Sequence, residues 1–351
     1  GFGDHHAAVS VITMGEMRNA SSDASTSTDA TGDALIDASI DGALTDAAGD
    51  ASTSIDAAIP CGDPVVAGSI STPETTFASR YVGGGVLAVA DSTDGIRLVN
   101  VSNPALPGVL ASYASTGNTL QLDASTGAGV LYLANQEGGL EVLDISDPLH
   151  PVQLATWSPG VNQWVSSVRV VGTRAYVVGI GYALKILNIS DPAQPTLLGT
   201  VSGEACARLA VSNTTVYLAC GTRGLIVINA SSPSTPTVAG TFDPTWRVTQ
   251  LDVQGGTAWV AANETGVHIL NVSNPAAVAE IDTVAVNNAI DVEVVSGRLY
   301  VASADGLGIF DSGTGAQLGS VAGYGYDVEV AEQRAYVAQF DQPVRIVDLC
   351  P

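Results

Sequence analysis

Asp291 and Asp327 are the residues of this chain best placed to do chemistry. They stand in twin phrases, Ile290-Asp-Val-Glu and Tyr326-Asp-Val-Glu, 36 residues apart. Two carboxylates near a guanidinium can bind a cation or polarise a substrate. Aligning the starts of the equivalent strands adds Gln121, Ser167, Arg208 and Gln250, a candidate ring with two acids and one base. The enzyme such a ring would suit is a metal-dependent hydrolase or lactonase; a solvated polar channel mouth is the plainer and preferred account. A second candidate set is aromatic: Trp157, Trp164, Trp246, Tyr324 and Tyr326 fall in or beside loops. Exposed ring faces there would suit a sugar or a protein, as in a lectin-like adhesin, and packing between neighbouring elements is the plainer account. No Gly-x-Ser-x-Gly, His-Glu-x-x-His, phosphate loop or Cys-His nucleophile pattern is present. The four histidines, His5, His6, His150 and His268, lack zinc-ligand spacing to a cysteine pair. The chain is therefore read as non-enzymatic, with no catalytic residue, metal or cofactor assigned.

What would position these groups is a phrase that recurs seven times. It runs Ile96-Arg-Leu-Val-Asn-Val-Ser-Asn-Pro104, then Leu140-Glu-Val-Leu-Asp-Ile-Ser-Asp-Pro148, and ends in short copies at Leu307–Asp311 and Val344–Asp348. Its Asn/Asp anchors fall at 100, 144, 188, 229, 271, 311 and 348, in steps of 37 to 44 residues. Before each phrase lies a strand such as Val130-Leu-Tyr-Leu-Ala134 or Ala335-Tyr-Val-Ala338, and before that a shorter one such as Val292-Glu-Val-Val295. A fourth follows the Ser-Asn/Asp-Pro turn, as in Thr196-Leu-Leu-Gly199. β-Branched and aromatic residues in short runs bounded by turn residues favour strands, and proline ends the ladder. Four antiparallel strands per repeat and seven repeats predict an all-β, seven-bladed β-propeller over residues 61–351.

The chain ends bear on ring closure. The last repeat stops at Cys350-Pro351 without a fourth strand, whereas Cys61-Gly-Asp-Pro-Val-Val-Ala-Gly68 reads like a turn and outer strand. Residues 61–70 are thus expected to complete the last blade, removing an open sheet edge. A disulfide Cys61–Cys350 would staple that seam, adding roughly 4–5 kcal/mol in the chain-entropy model. Cys206 and Cys220 flank the turn at Ser212-Asn-Thr-Thr215 and form the second expected pair. Such disulfides indicate an oxidising compartment, so the protein is read as secreted or held at the cell surface. A chain that begins at Gly1 fits a leader already removed.

The formal net charge is −23, with 35 acids against eleven Arg and the single Lys185. That balance argues against nucleic acid and anionic membranes as partners. No apolar run approaches membrane-spanning length. Seven Asn-X-Ser/Thr sequons occur; Asn100, Asn188, Asn229 and Asn271 belong to the repeat's own turn, which explains them better than glycosylation.

Residues 1–60 carry nine Asp, one Glu and one Arg. Within them, 19–60 are nearly all Ala, Ser, Thr, Asp and Gly, a polar tether. The preceding head, residues 1–18, contains a strand-prone stretch with Val9, Val11 and Thr13 on one face and Ile12 on the other. Such a head could add to a sheet edge of another subunit. Forty residues of tether span roughly 35 Å as a coil and over 100 Å extended. A homopolymer linked through this arm is the expected assembly, since a head-to-tail contact propagates unless it closes.

The phrases Leu-Ile-Val-Ile-Asn229 and Val-Arg-Ile-Val-Asp348, with the Ser-Asn/Asp-Pro turns and Ala-Tyr-Val-Ala strands, resemble the LVIVD-repeat family. The resemblance covers residues 61–351 and implies an extracellular or surface β-propeller of bacteria or archaea. It supplies no catalytic residues.

Overall fold

The computed structural model describes residues 62–73, 75–125, 129–203, 205–340 and 342–350. The strand-prone head, the tether and Cys61 lie outside them.

Strand β1 (Val65–Ile70) is followed by β2 (Ala78–Gly83), β3 (Val86–Ala90), β4 (Ile96–Asn100) and β5 (Gly108–Tyr113). Strands β2 to β5 form one antiparallel sheet, the first blade, with β2 innermost and β5 outermost. The same four-strand unit repeats with inner strands β6 (Gln121–Ser125), β10 (Ser167–Val171), β14 (Arg208–Ser212), β18 (Gln250–Gln254) and β22 (Ala289–Val295). The seventh sheet has the order β1-β28-β27-β26, where β26 is Asp327–Ala331, β27 Arg334–Gln339 and β28 Gln342–Asp348. Val65 pairs with Asp348 and Ile70 with Val344, so the N-terminal strand completes the last blade. The fold is a seven-bladed β-propeller. Cys350 is disulfide-bonded, and its expected partner Cys61 lies outside the described residues.

The repeated anchor has a local cause. Asn100, Asp144, Asn188, Asn229 and Asn271 each accept the backbone N–H two residues on through Oδ1, at 2.8–3.0 Å. The Asn or Asp before the proline does the same, as where Asp147 accepts from Leu149 N–H at 3.0 Å. In blades one, two, three and five, two consecutive side-chain-closed turns therefore end the third strand and aim the chain at the outer one.

Each sheet buries both faces against its neighbours, and seven apolar clusters result, one between each successive pair of blades. Tyr132, Tyr176 and Tyr336 on the second strands are among the largest fully buried side chains. The cluster between blades seven and one contains Ile70, Leu87, Val89 and Ile346, so ring closure is itself an apolar interface. Every outer strand carries a bulge against its partner, as between Val66 and Gly68 in β1. Bulges of this kind blunt exposed edges against pairing with another chain.

Candidate functional site

The inner strands of all seven blades face a central cavity of about 320 Å3. They contribute side chains in two tiers. Gln121, Ser167, Arg208, Gln250, Asp291 and Asp327 share one register, opposite Ala134, Val178, Ala219, Ala261, Ala302 and Ala338 of the second strands. Gln121, Gln250, Asp291 and Asp327 line the cavity; Ser167 and Arg208 are not part of its wall, and Ser167 is buried. Two residues further along each strand comes a second tier: Arg80, Asp123, Arg169, Ala210, Asp252, Glu293 and Glu329. Reading strand starts alone misses it. The signal was the acid flanked by apolar residues in Leu251-Asp-Val253 and Val328-Glu-Val330, since alternate residues share a face.

The acids of both tiers have a specific occupation. An inner strand is a sheet edge whose outward N–H groups lack a strand partner. Asp291 Oδ2 accepts Val328 N–H at 2.9 Å, and Asp327 Oδ2 accepts Ser79 N–H at 2.9 Å. In the second tier Asp123 accepts from Val170 at 2.7 Å, Asp252 from Val294 at 2.8 Å, Glu293 from Val330 at 2.6 Å and Glu329 from Tyr81 at 3.0 Å. Gln121 does the same for Val168 at 3.0 Å. In each case the acceptor belongs to one blade and the N–H to the next. The channel acids hold neighbouring inner strands in register.

Arg80 bridges Asp123 at 3.0 Å and Glu329 at 3.1 Å, and Arg169 lies 3.9 Å from Asp123. Burial opposes the Arg80 charge, but Glu329, Asp123 and Glu293 together hold its pKa above the ordinary value. On the acidic side, burial foremost pushes Asp291 up to about 6, against the pull of the Val328 N–H and the Arg208 charge. Burial raises Asp327 well above the usual carboxylate range, reinforced by Asp291, and raises Glu293 likewise, reinforced by Glu329. Glu329 is also raised by burial, with Arg80 opposing. Among the described residues, no group of three or more His, Cys, Asp or Glu is arranged to hold a metal ion.

The five aromatic candidates are distributed over three inter-blade regions. Lys185, buried at the second position of its phrase, places Nζ 5.7 Å from the Trp157 ring centre and 4.7 Å from that of Tyr182. Trp246 stacks on His268 at 3.8 Å between ring centres, and His268 Nδ1 lies 2.8 Å from Glu280 Oε1. Tyr326 meets Phe77 of the first blade edge-on at 5.9 Å. Trp164 and Tyr324 take part through backbone carbonyls, which accept from Tyr182 Oη at 3.0 Å and from Gln339 respectively.

A third set of polar positions emerges here. The second residue of the repeated phrase is Arg97, Glu141, Lys185, Ile226, His268, Gly308 and Arg345 in turn. Several of these side chains tie down the segment entering their own blade. Lys185 donates to Pro159 O and to Gln163 Oε1 at 2.6 Å, while Arg345 donates to Ala322 O. Glu141, fully buried, accepts from Tyr113 Oη at 2.6 Å, Asn135 Nδ2 at 2.6 Å and Thr116 N–H at 3.2 Å. A charged residue inside an otherwise apolar strand was the available signal. Cys206 and Cys220 are disulfide-bonded with 4.1 Å between Cα atoms, just beyond the Arg208–Ala219 end of their hairpin.

The LVIVD repeat matches residues 81–115, 129–156, 164–203, 202–244, 247–286 and 322–350. No curated protein matches the chain. Among solved structures, the crystal structure of the computationally designed Ika8 protein aligns with a TM-score of 0.60 at 13% identity, over 81% of this chain and 99% of that one. At that identity the likeness concerns the fold alone.

Proposed function

Because this chain belongs to the LVIVD-repeat family, with six matched segments around one ring, we propose that it is a non-enzymatic, secreted structural protein of the cell surface that joins further copies of itself through residues 1–60. The observation that carries the non-enzymatic reading is the engagement of the channel acids. Asp291 and Asp327, the pair best suited to catalysis, each hold a backbone N–H of the next blade. The faces of Trp157 and Trp246 are likewise taken up by Lys185 and His268. Secretion is supported by the Cys206–Cys220 bond and by the disulfide-bonded state of Cys350, since such bonds persist in oxidising compartments. Self-assembly is supported by the strand-prone stretch around Val9 and Val11 on its long polar tether.

Sedimentation of the full-length protein over a wide concentration range, beside a form lacking residues 1–18, tests this reading. The full-length chain should polymerise, and the shortened form should remain a monomer with unchanged thermal unfolding. A full-length protein that stays monomeric at high concentration, or a shortened form that still assembles, overturns the arm-linked reading. Ester or lactone hydrolysis abolished by Asp291→Asn would overturn the non-enzymatic one.

A further inference from the structure

Four successive blades, the seventh and the first to third, expose paired aliphatic side chains on the outer edge of the ring. Val65 and Val66 of β1 are 51% and 44% exposed, Leu106 and Val109 of the first blade 78% and 51%, Leu149 and Val152 of the second blade 54% and 56%, and Leu197 and Leu198 of the third blade 50% and 37%. The outer strands of blades four, five and six expose one large aliphatic each. The arc is continuous from blade seven to blade one: a Cβ on Gly68 would lie 1.8 Å from Pro104 O, so β1 rests against the turn that carries Leu106. A paired apolar patch of this kind on a protein of net charge −23 marks an interaction surface.

We propose that this arc is the docking surface for residues 7–14 of a second copy of the chain. The proposal rests on the arm-linked assembly above and names the surface that receives the arm. Charge selects the occupant. The four outer strands, VVAGSI, GVLASY, VQLATW and TLLGTV, contain no charged residue, and neither does AAVSVITM at 7–14. The other aliphatic stretch of the arm, Leu35 to Leu44, is preceded by Asp33 and interleaved with Asp37 and Asp41, which an uncharged apolar surface would strip of water at a cost. Chain length allows the contact. The arm meets the ring at Gly62, three residues before Val65 and beside the arc, and its tether reaches roughly 35 Å as a coil and over 100 Å extended. Docking on another ring follows from the assembly reading.

The bulges decide the mode of contact. Each of the four outer strands loses register after its second residue, so an incoming strand finds no continuous ladder to extend. The arm is held through side chains, Val9 and Val11 from one face with Ile12 from the other, set against the exposed Leu and Val pairs.

The test uses full-length protein carrying a photo-cross-linking phenylalanine analogue in place of Val11, mixed in equal parts from 14N- and 15N-labelled preparations. Illumination should join arm peptides of one label to peptides containing Leu106–Val109 or Leu149–Val152 of the other. The pair Val109→Asp and Val152→Asp, both on exposed positions, should lower that yield at least about tenfold without shifting the unfolding midpoint. Adducts elsewhere on the ring, or adducts undiminished by the pair, overturn the arc while leaving arm-linked assembly standing. Adducts confined to one label overturn the second copy as host. Assembly that survives removal of residues 1–18 overturns the earlier reading instead.

Discussion

Asp327 of the last blade accepts the backbone N–H of Ser79 of the first at 2.9 Å, a bond between residues 248 positions apart. It lies where the two ends of the ring meet, beside Glu329 and Tyr81, which repeat the arrangement one tier along. Removing the acceptor strands a backbone donor in the channel wall, at a cost of about 1–3 kcal/mol. Asp327→Ala should lower stability by that amount in urea unfolding at pH 7.5. Asp327→Asn keeps an acceptor and removes a buried charge, and should match or exceed the parent. Equal losses in both variants would show that the charge, not the cap, matters.

Asp291 gives the ring a definite pH dependence. Its folded pKa of about 6 lies above the ordinary 3.8. The stabilising contribution of its protonated form is therefore complete below about pH 4 and lost as pH rises through 6. Asp327, Glu293 and Glu329 are displaced in the same direction. Stability should rise on acidification from pH 8 to pH 5, with Asp291 responsible for about 1.4 kcal/mol of that rise. The exposed Asp147 and the half-buried Asp144 and Asp311 have lowered pKa values, through side-chain bonds to His150, Ser146 and Thr314 foremost, and turn the trend over in stronger acid. Asp291→Asn should flatten the rise between pH 5 and 8; a parent-like profile in that variant would exclude this group as its source.

Glu141, itself fully buried, accepts from three donors, of which Asn135 is buried, Tyr113 half-buried and Thr116 exposed. Glu141→Ala leaves the buried Asn135 amide without its acceptor and opens a cavity, and should destabilise by roughly 2–3 kcal/mol, while Glu141→Gln, which keeps one acceptor oxygen, should cost less than half of that. The Tyr113 hydroxyl, raised above its ordinary pKa by burial first and Glu141 second, should resist ionisation in a spectrophotometric titration at pH 11. In Glu141→Ala it should ionise at lower pH.

Gly68 marks how closely successive blades approach. Its virtual Cβ meets the Pro104 carbonyl at 1.8 Å, whereas nothing lies within 4 Å of one on Gly108. Gly68→Ala must push a backbone segment away and should lower stability by about 2–4 kcal/mol. Gly108→Ala should be neutral or gain roughly 0.5 kcal/mol by restricting the unfolded chain. Thermal unfolding of the two variants side by side distinguishes them.

The features legible in the sequence are those whose causes are local. Asn100 and Asn188 recur because a carboxamide must reach an N–H two residues on, and that reach leaves a fixed spacing in the chain. Strand alternation, blade number, the β1 closure and the Cys206–Cys220 hairpin all follow from such short-range spacing or from counting. The sixth blade shows where this fades. Its phrase runs into Asp311-Ser-Gly-Thr, the family repeat does not match it, and yet β22 opens a four-stranded sheet like the rest. Tertiary structure alone decided the roles of the channel groups. Asp291 and Asp327 look catalytic in one dimension because paired acids near an arginine carry chemistry in many proteins. In the ring each stands beside the unpaired inner edge of the next blade, 37 or 248 residues away. No local spacing encodes that neighbour: closing seven sheets around an axis sets one blade's side chains against the next blade's backbone, and the unmet N–H there determines what the carboxylate does.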